Sequence, residues 1–579
     1  MPAPRLIRPV LIGVLLLAVA WMGWFVWSGG TTQDKGAASG AGAVGGTLRA
    51  TYQTEPTNFL RIVGVPTAPN HMISVLTQAT LVRSNSAGEL EPRLAATWSA
   101  SPDGLTWTIQ LVPAAKFSDG TPVTSADVVF SIRAALDERL GSASAADLRV
   151  NGQAITARAI DAQRVMILMP AAYGPGIAML EHLPILPQHK LESALSAGTL
   201  ASVWATSVAP ADVVGAGPFV IKEYQPGQRI LFGRNPHFFG RDESGVALPY
   251  VDEIDMAIVP EANTELLRLQ GGETDVVTNF ANADDLAILR QSESQGRVQL
   301  TDAGPSIDVT TFWFNLRPDA KSAAARPWLA APEFRRAISH AVNRQAIVDT
   351  VYLGQAVPAY GPITAGHGPW HVPDLPTTEF DQSRARTLLT SIGLTDRDGD
   401  GVLEDATNQP VRFSVITRSG QPDREKTMAV VQEHLRQVGI AVDVIGLQQG
   451  EIVTRYTAGD FDAIYFGGRA LSRDPNLSFW LSSGGFHYWN PGQTTPATEW
   501  ETRIDALLKQ QLTTVDSTER RRLFAEAQRI LAEELPALWF VAPRAIVPVS
   551  GRVRGATPSI FFPPVLWNAE RLSLVDGGR

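Results

Sequence analysis

Residues 214–277 read VGAGPFVIKEYQPGQRILFGRNPHFFGRDESGVALPYVDEIDMAIVPEANTELLRLQGGETDVV, and the fold prediction starts from this stretch. Its first part alternates apolar residues, with Phe219 and Ile221 two positions apart. The Pro-Gly pair at 226–227 is typical of a turn, and the apolar alternation resumes at Ile230. These residues predict two strands joined as a hairpin.

The second part of the stretch predicts a third strand and a short helix. Ile254 and Met256 alternate with polar or small residues, so one face of the strand is expected to be buried. Pro260 ends this strand, and Asn263 is predicted to cap the helix that follows. Gly271 is the predicted helix stop. The stretch holds no catalytic nucleophile, general base or set of metal ligands. It therefore predicts part of the fold and indicates no catalytic or metal site.

The motifs GAGPFVIKEYQPG, RNPHFFG, PYVDEI, PEANT and LQGGETD occur in this order and resemble the extracellular solute-binding proteins of family 5. These are the dipeptide, oligopeptide and nickel receptors of ABC importers. Further motifs of the same family lie at 103–132 (DGLTWT to KFSDGTPVTSADVVFSI), 312–315 (FWFN) and 536–539 (PALW). The resemblance covers residues 46–568, which is nearly everything after the N-terminal segment.

The resemblance implies an α/β, two-lobed, periplasmic-binding-protein-like fold of type II. It also implies an extra domain inserted in the first lobe, and the apolar N-terminal segment described below adds the expectation of one N-terminal transmembrane helix before the fold. The expected divisions are 1–27 membrane anchor or signal segment, 28–46 flexible Gly/Ala/Ser linker, 47–89 first part of lobe I, 90–213 inserted domain, 214–311 second part of lobe I, 312–534 lobe II and 535–579 return to lobe I.

Composition excludes several classes of function. The chain has 579 residues, 44% hydrophobic and 18% charged, which is typical of a globular protein of more than one domain. A net charge of -9 argues against a nucleic-acid surface, and the absence of cysteine removes thiolate catalysis and Cys-type zinc sites. No nucleophile elbow, zinc-protease motif or phosphate-binding loop is present, so the sequence predicts neither an enzyme nor a cofactor or metal.

The N-terminus carries an uncharged apolar run, Pro9 to Trp27, that is about as long as a membrane-spanning helix requires. Arg5 and Arg8 precede the run and would keep that end in the cytoplasm. We therefore expect a membrane anchor. A cleaved signal peptide with its small-residue site at 18–20 is the alternative. The linker at 28–46 would span roughly 20–25 Å as a flexible coil.

Three local patterns outside the opening stretch give further expectations. Thr124 and Asp127 have the spacing of a helix capping box. Residues 412–444 alternate as strand, helix and strand, which predicts a parallel crossover. His182 and His189 lie in a proline-containing segment without helical spacing, so we expect surface or packing histidines instead of a metal pair. Three aromatic residues of the inserted domain are expected in its core and not in a ligand cage: Trp98, Trp107 and Phe117.

An acidic segment, DRDGDG at 396–401, places Asp396, Asp398 and Asp400 two residues apart. This spacing resembles the first half of a calcium-binding loop. The twelfth position is Thr407 where a bidentate glutamate is needed, and Glu404 would compensate only in part. A tight Asx-rich turn is the favoured interpretation, and calcium binding stays open.

The resemblance also bears on the cargo. Peptide receptors of the family place an aspartate shortly before an Asp-Pro turn, to hold the amino terminus of the peptide. Here the segment reads GGRALSRDP, with Arg469 and Arg473 in that region. Guanidinium groups pair well with carboxylates, so a carboxylate-bearing cargo is predicted. In the alternative, Arg469 pairs with a neighbouring carboxylate of the protein itself.

The predicted function is that of a substrate-binding receptor of an ABC importer, outside the cytoplasm and tethered by its N-terminal helix. It would bind peptides or a similar small solute between its lobes and deliver the solute to a permease in the inner membrane. A membrane-tethered sensor or a periplasmic chaperone with the same fold is the alternative. The expected cleft residues include aromatic groups that suit a tolerant site: Tyr52, Glu55, Trp313, Tyr360, Arg469, Trp480 and Tyr488.

Overall fold

The computed structural model describes residues 44–64, 67–142, 144–467, 474–475 and 477–575. The predicted membrane segment at 1–27, most of the predicted linker, and Arg469 lie outside these ranges. Within them, no helix combines the length and the apolar character that crossing a bilayer requires.

The strands are named in chain order. They are β1 Thr47–Tyr52, β2 Val82–Ser84, β3 Leu90–Pro92, β4 Ala95–Ala100, β5 Thr106–Leu111, β6 Arg149–Val150, β7 Gln153–Ala154, β8 Thr156–Asp161, β9 Arg164–Leu168, β10 Phe219–Gln225, β11 Arg229–Arg234, β12 Glu253–Ile258, β13 Val276–Val277, β14 Val298–Pro305, β15 Thr311–Phe314, β16 Ala356–Pro358, β17 Arg412–Arg418, β18 Ala441–Leu447, β19 Ala463–Phe466, β20 Ala537–Trp539, β21 Val541–Ser550, β22 Val553–Arg554 and β23 Ser573–Leu574.

The α-helices follow the same convention. They are α1 Ala68–Thr77, α2 Ser125–Ala135, α3 Ser144–Asp147, α4 Gln188–Ala197, α5 Leu200–Val203, α6 Ala262–Gln270, α7 Leu286–Ser294, α8 Lys321–Ala325, α9 Pro332–Ala341, α10 Arg344–Thr350, α11 Gln382–Ser391, α12 Pro422–Arg436, α13 Gln449–Ala458, α14 Glu499–Thr513 and α15 Ser517–Glu534.

The first lobe is built on an eight-stranded sheet in the order β10-β11-β12-β1-β13-β21-β14, with β16 also paired to β21. Strand β1 lies inside this sheet and runs parallel to both β12 and β13. Its residues Leu48 and Ala50 are fully buried, as expected for a strand with neighbours on both sides. A separate four-stranded antiparallel sheet, β4-β5-β9-β8, lies within residues 95–168.

The second lobe is built on a five-stranded sheet in the order β18-β17-β19-β15-β20. Strands β17, β18 and β19 are parallel, and β15 runs antiparallel to its neighbours. The predicted strand–helix–strand crossover is confirmed as β17, α12 and β18. The two lobes have separate large apolar cores, so each lobe is stabilised mainly by its own packing.

The two large sheets are joined by short crossing segments. Strand β14 of the first sheet is followed after residues 306–310 by β15 of the second sheet. Strand β20 of the second sheet is followed after one residue, Phe540, by β21 of the first. Strands β14 and β21 pair with each other, so the two crossings leave the first sheet side by side.

Most local predictions are confirmed. The hairpin β10–β11 turns at 226–227, where Gly227 has a φ of +72° that glycine adopts without strain. The capping box is present, with the Thr124 backbone N–H donating to Asp127 Oδ2 at 2.8 Å. The Asn263 prediction is wrong. Helix α6 begins directly after Glu261, because the chain already turns after Pro260, and Asn263 therefore lies inside the helix.

Candidate functional site

A cavity lies where the chain crosses between the sheets, on the side of the second lobe. It has about 500 Å³ of empty space, part of it open to solvent. We call it the aromatic cavity. The crossing segment 306–310 and β15 form one wall, and residues on both sides of the 468–473 segment form another. Its principal lining residues are Ile307, Trp313, Ile363, His367, Phe479 and Trp480.

Trp313 organises the aromatic cavity. Strand β15 fixes the side chain, and the indole N–H donates to the Phe466 carbonyl oxygen at 3.2 Å. The ring of Phe479 stacks parallel to that of Trp313 within 11°, and the Trp480 ring centroid lies 5.6 Å away. Tyr488 adds a third ring at 5.3 Å. Such a cluster presents a rigid apolar surface, and a ligand can bind to it with few specific hydrogen bonds.

A second cavity lies on the side of the first lobe, with about 730 Å³ of empty space that includes a solvent-open part. We call it the arginine cavity. Helix α1 and the 180–182 region line it on one side, and residues 559–567 line it on the other. It combines charged groups with an aromatic wall, and its principal lining residues are Arg61, His71, Arg83, His182, Phe562 and Trp567.

The two cavities adjoin one another. Ile307 lines the aromatic cavity and Phe561 lines the arginine cavity, and both belong to one small apolar cluster with Ala545 and Ile560. Tyr52, at the end of β1, has its ring centroid 6.4 Å from that of Phe562. Residues of both cavities therefore pack together near the crossing strands, and the mixture of aromatic and polar lining groups is typical of a ligand site.

The charged groups that line the arginine cavity differ in their ion pairs and in their ionisation. Arg83 and Arg93 both bind the Glu570 carboxylate, at 2.7 Å and 2.5 Å. Burial alone would raise the pKa of Glu570, but the two guanidinium groups more than offset it and lower that pKa to about 2. Burial and nearby Arg61 lower the pKa of His182 to about 3, so this ring is neutral at pH 7.

Contacts also bridge the two lobes next to the cavities. The Gly174 N–H donates to the Leu512 carbonyl oxygen at 2.6 Å. The 171–175 loop lies close enough to the second lobe for its charges to act on Tyr173: burial, followed by the carboxylate of Asp474, raises the pKa of Tyr173 to about 12. A second contact between the lobes is the ion pair of Lys426 with Asp284, at 2.8 Å. The lobes therefore touch each other beyond the crossing strands.

The seven predicted site residues do not all come together. Trp313 and Trp480 line the aromatic cavity, and Tyr488 packs on Trp313. Tyr52 packs on Phe562 at the arginine cavity. Glu55 and Tyr360 line neither cavity: Glu55 accepts hydrogen bonds from the Tyr224 hydroxyl at 3.0 Å and from the Gly227 N–H, and Tyr360 stacks under the Arg344 guanidinium at 4.6 Å. Arg469 lies outside the described residues.

The sequence analysis does not single out Arg61, which lines the arginine cavity. Arg61 is the one charged residue in the apolar run NFLRIVGV at 58–65, and that isolation was the available signal. His182 lines the arginine cavity, whereas His189 is held by Asp119 at 2.7 Å, as a packing histidine would be. Of the three aromatic residues predicted to lie in a core, Phe117 is buried in the core of the first lobe, and Trp98 and Trp107 are partly buried and pack against that core.

The acidic segment forms the predicted Asx-rich turn. Asp396 accepts from the backbone N–H groups of Gly399 and Gly401, at 2.7 Å and 3.1 Å. Glu404 is buried and accepts from the Arg397 N–H at 2.7 Å. Carboxylate oxygens of Asp396, Asp398, Asp400 and Glu404 all lie within 4.8 Å of one another. The backbone N–H groups thus account for this turn, and it lies outside both cavities.

A family model for bacterial extracellular solute-binding proteins, family 5, matches residues 89–490. The chain belongs to this family. Family 5 proteins are binding proteins of periplasmic or other extracytoplasmic location, and they are the substrate-binding components of ABC importers. The family 5 protein described here has that function. Its two sheets with crossing strands are the two-lobed periplasmic-binding-protein fold.

Individual relatives agree with the family assignment. A probable ABC transporter-binding protein of Deinococcus radiodurans is 26% identical over 516 residues, covering 84% of this chain and 85% of the relative. A probable D,D-dipeptide-binding periplasmic protein of Escherichia coli is 25% identical, covering 81% and 82%. The oligopeptide-binding protein AppA of Bacillus subtilis, solved with a nonapeptide, has a TM-score of 0.70 at 22% identity, covering 93% and 100%.

Proposed function

We propose that this protein captures a peptide or a similar small solute in the joined aromatic and arginine cavities, and presents it to an ABC permease. The observation that carries the proposal is the position of the two neighbouring cavities near the crossing strands, where movement of one lobe against the other would change the space between them. The names of the relatives support the solute class, since they include proteins that bind dipeptides and a nonapeptide.

Solute binding in this arrangement would work by selecting a closed state. The bridging contacts at Gly174 and Lys426 form only when the lobes are together, so a solute that contacts both lobes favours the closed population. A solute that contacted one lobe alone would not shift the equilibrium. The protein would bind its solute without altering it, and the energy for transport would come from other subunits.

The finer assignments are part of this proposal. The candidate contact residues remain Trp313, Trp480, Tyr488 and Tyr52, with Glu55, Tyr360 and Arg469 as further candidates. The separate sheet at 95–168 supports the proposal that 90–213 is an inserted domain, and the other domain divisions are proposed from the sequence.

We also propose that the apolar run at residues 9–27 anchors the protein to the cytoplasmic membrane. Its length and the preceding arginines support this assignment. Full-length protein should stay with the membrane after carbonate extraction. Release of an intact, unprocessed chain, or a mature N-terminus near residue 20, would contradict an anchor.

The experiment that tests the receptor function is native mass spectrometry of the chain from Gly46 onward, purified from its host without added ligand. We expect a bound small molecule that is released unchanged on unfolding and that raises the melting temperature when added back. Small-angle scattering should show a smaller radius of gyration with the solute. The absence of any bound or stabilising solute, or its chemical conversion, would contradict the proposal.

A matched pair of variants locates the site. Phe479→Ala removes a stacked ring of the aromatic cavity and should weaken solute binding about 10-fold. Phe380→Ala removes a ring that is 47% exposed and lies outside both cavities, so its affinity should match that of the unmodified protein. Equal effects of the two substitutions would place the solute elsewhere.

A further inference from the structure

Arg61 is a buried cation that lacks a close partner. Its exposed fraction is 5%, and it lines the arginine cavity. The side-chain Nε has no hydrogen-bond partner. Within the described ranges, no carboxylate lies within 4.0 Å of its guanidinium. Asp147 and Glu181 affect its ionisation only from a longer distance.

The other buried arginines are held in a different way. Arg335 donates to three backbone carbonyl oxygens at 2.6–2.9 Å. Arg344 donates to the carbonyl oxygens of Ala359 and Trp539 at 3.0 Å and 2.9 Å. Arg520 binds both oxygens of Asp474. Each of these guanidinium groups serves the internal structure, whereas Arg61 faces a cavity.

An unpaired buried guanidinium is costly, because desolvation removes water that no protein group replaces. Burial lowers the pKa of Arg61 to about 10, against the opposing carboxylates of Asp147 and Glu181, so the group keeps its charge at neutral pH. The arrangement is therefore stabilised when an anion enters the cavity.

The remaining walls of the cavity narrow the kind of anion. Among the described residues that line this cavity, Arg83 and Arg93 are engaged by Glu570, whereas Arg61 has no such ion pair. Glu181 also lines the cavity, but its carboxylate lies beyond 4.0 Å from the Arg61 guanidinium. The same cavity is lined by the rings of His71 and His182, edge to face at 5.8 Å, and by the ring of Phe562, 6.0 Å from that of His71. A planar carboxylate attached to an apolar or aromatic group fits a guanidinium beside such rings.

We propose that Arg61 forms a carboxylate subsite of the arginine cavity and selects solutes that carry an acidic end next to an apolar group. This inference rests on the proposed receptor function. The acidic end of the solute would point into the first lobe, and the rest of the solute would lie in the aromatic cavity. Arg61 is thus a specificity-determining residue that would touch the solute directly.

The test uses defined probes at low salt with the chain from Gly46 onward. The probes are the tripeptide Ala-Ala-Phe, the same tripeptide with a C-terminal amide, and inorganic phosphate. We expect the free acid to bind and to raise the melting temperature, and the amide to bind at least about 30-fold more weakly, from the usual effect of losing one partner of a buried charge pair. Phosphate should give no comparable shift.

Variants separate recognition from structure. Arg61→Met should weaken binding of the acid by a similar factor, yet leave the melting temperature of the ligand-free protein equal or higher, because an unpaired buried charge is removed. Arg133→Gln, which alters an exposed arginine outside the cavity, should bind the acid like the unmodified protein. Arg344→Met should lower the melting temperature strongly, because its carbonyl partners are left unpaired.

The possible outcomes are distinct. Equal binding of acid and amide, unchanged acid binding by Arg61→Met, stabilisation by phosphate alone, or a ligand-free Arg61→Met as unstable as Arg344→Met would each overturn the subsite. If a neutral solute co-purifies and binds the Arg61→Met variant with normal affinity, the receptor function is supported and the carboxylate subsite at Arg61 is contradicted. If neither a co-purified solute nor any probe binds, both fail.

Discussion

Glu570 shows at the residue scale how this protein stabilises buried charge. Its carboxylate is 3% exposed and is shared by Arg83 and Arg93. Its folded-state pKa of about 2 lies below the ordinary value of 4.5, so its stabilising contribution is fully present above pH 4.5 and is lost as the pH falls toward 2.

Glu570→Gln should therefore lower the free energy of unfolding by about 3 kcal/mol at pH 7, because two buried guanidinium groups lose their counter-charge. The difference from the unmodified protein should shrink between pH 5 and pH 2, where the native carboxylate also becomes neutral. Denaturant unfolding at a series of pH values measures this. Glu519→Gln, at an exposed pair with Arg522, is the control and should show no such pH-dependent gap.

Asp127 makes a second prediction at the residue scale. Its two carboxylate oxygens accept from the backbone N–H groups of Thr124 and Gln188, at 2.8 Å and 2.9 Å. Asp127→Ala should cost about 2 kcal/mol of stability, because two N–H groups near a buried position lose their acceptor. Asp516→Ala, at the exposed N-cap of α15, should cost about half as much. Equal losses in urea unfolding would contradict the role of burial.

How far the sequence predicts the site is best seen in individual residues. Trp313 and Trp480 could be selected because their motifs belong to segments of recognisable family pattern, and the aromatic cavity contains both. The sequence marks Arg61 only as the one charge in an apolar run, because the absence of a close carboxylate partner depends on chain segments more than 80 residues apart. Glu55 and Tyr360 were chosen by motif position, and local hydrogen bonding or stacking directs them away from the cavities.

At the element scale, the loop at 171–175 and the turn between α14 and α15 form the closest bridge between the lobes. A Cβ on Gly174 would lie 2.3 Å from the Thr514 carbonyl oxygen and 2.6 Å from Arg520 Nε. The chain uses glycine here because any side chain would separate the two elements.

Gly174→Ala should therefore shift the ligand-free protein toward an open arrangement while leaving each lobe folded. Small-angle scattering should report a larger radius of gyration, with circular dichroism unchanged. Gly450→Ala is the matched control, because a Cβ at that helical position meets no atom within 4 Å and alanine favours a helix. An unchanged radius for Gly174→Ala would show that this bridge does not hold the lobes together.

Elements with strong local signals were predicted well. The hairpin β10–β11 and the crossover through α12 follow from apolar periodicity and turn residues that act within a few positions. The order of strands in the large sheet does not follow in that way. Strand β21 lies between β13 and β14, which precede it by more than 230 residues, and no local pattern encodes that neighbour. The resemblance to family 5 supplied what periodicity could not.

At the scale of the whole molecule, the two apolar cores predict two thermal transitions in calorimetry of the ligand-free protein. Trp204→Ala removes a fully buried side chain from the first core, and Trp313→Ala removes one from the second. Each should lower the transition of its own lobe, by about 3–5 kcal/mol in free energy, and leave the other nearly unchanged. Equal shifts of both transitions by either variant would indicate a single cooperative unit.

The path of the chain through the two sheets has a consequence for how the protein is made. The first sheet receives its strand β21, which lies between β13 and β14, only from residues 541–550, near the end of the chain. The second sheet lacks only its edge strand β20 until the same moment. During synthesis, the first sheet therefore keeps an unfilled position between β13 and β14 while the second sheet assembles, and residues 537–550, which form β20 and β21, complete both sheets. A chain truncated before β21 should consequently be a target for quality-control proteases, even though it contains almost all of the residues described above.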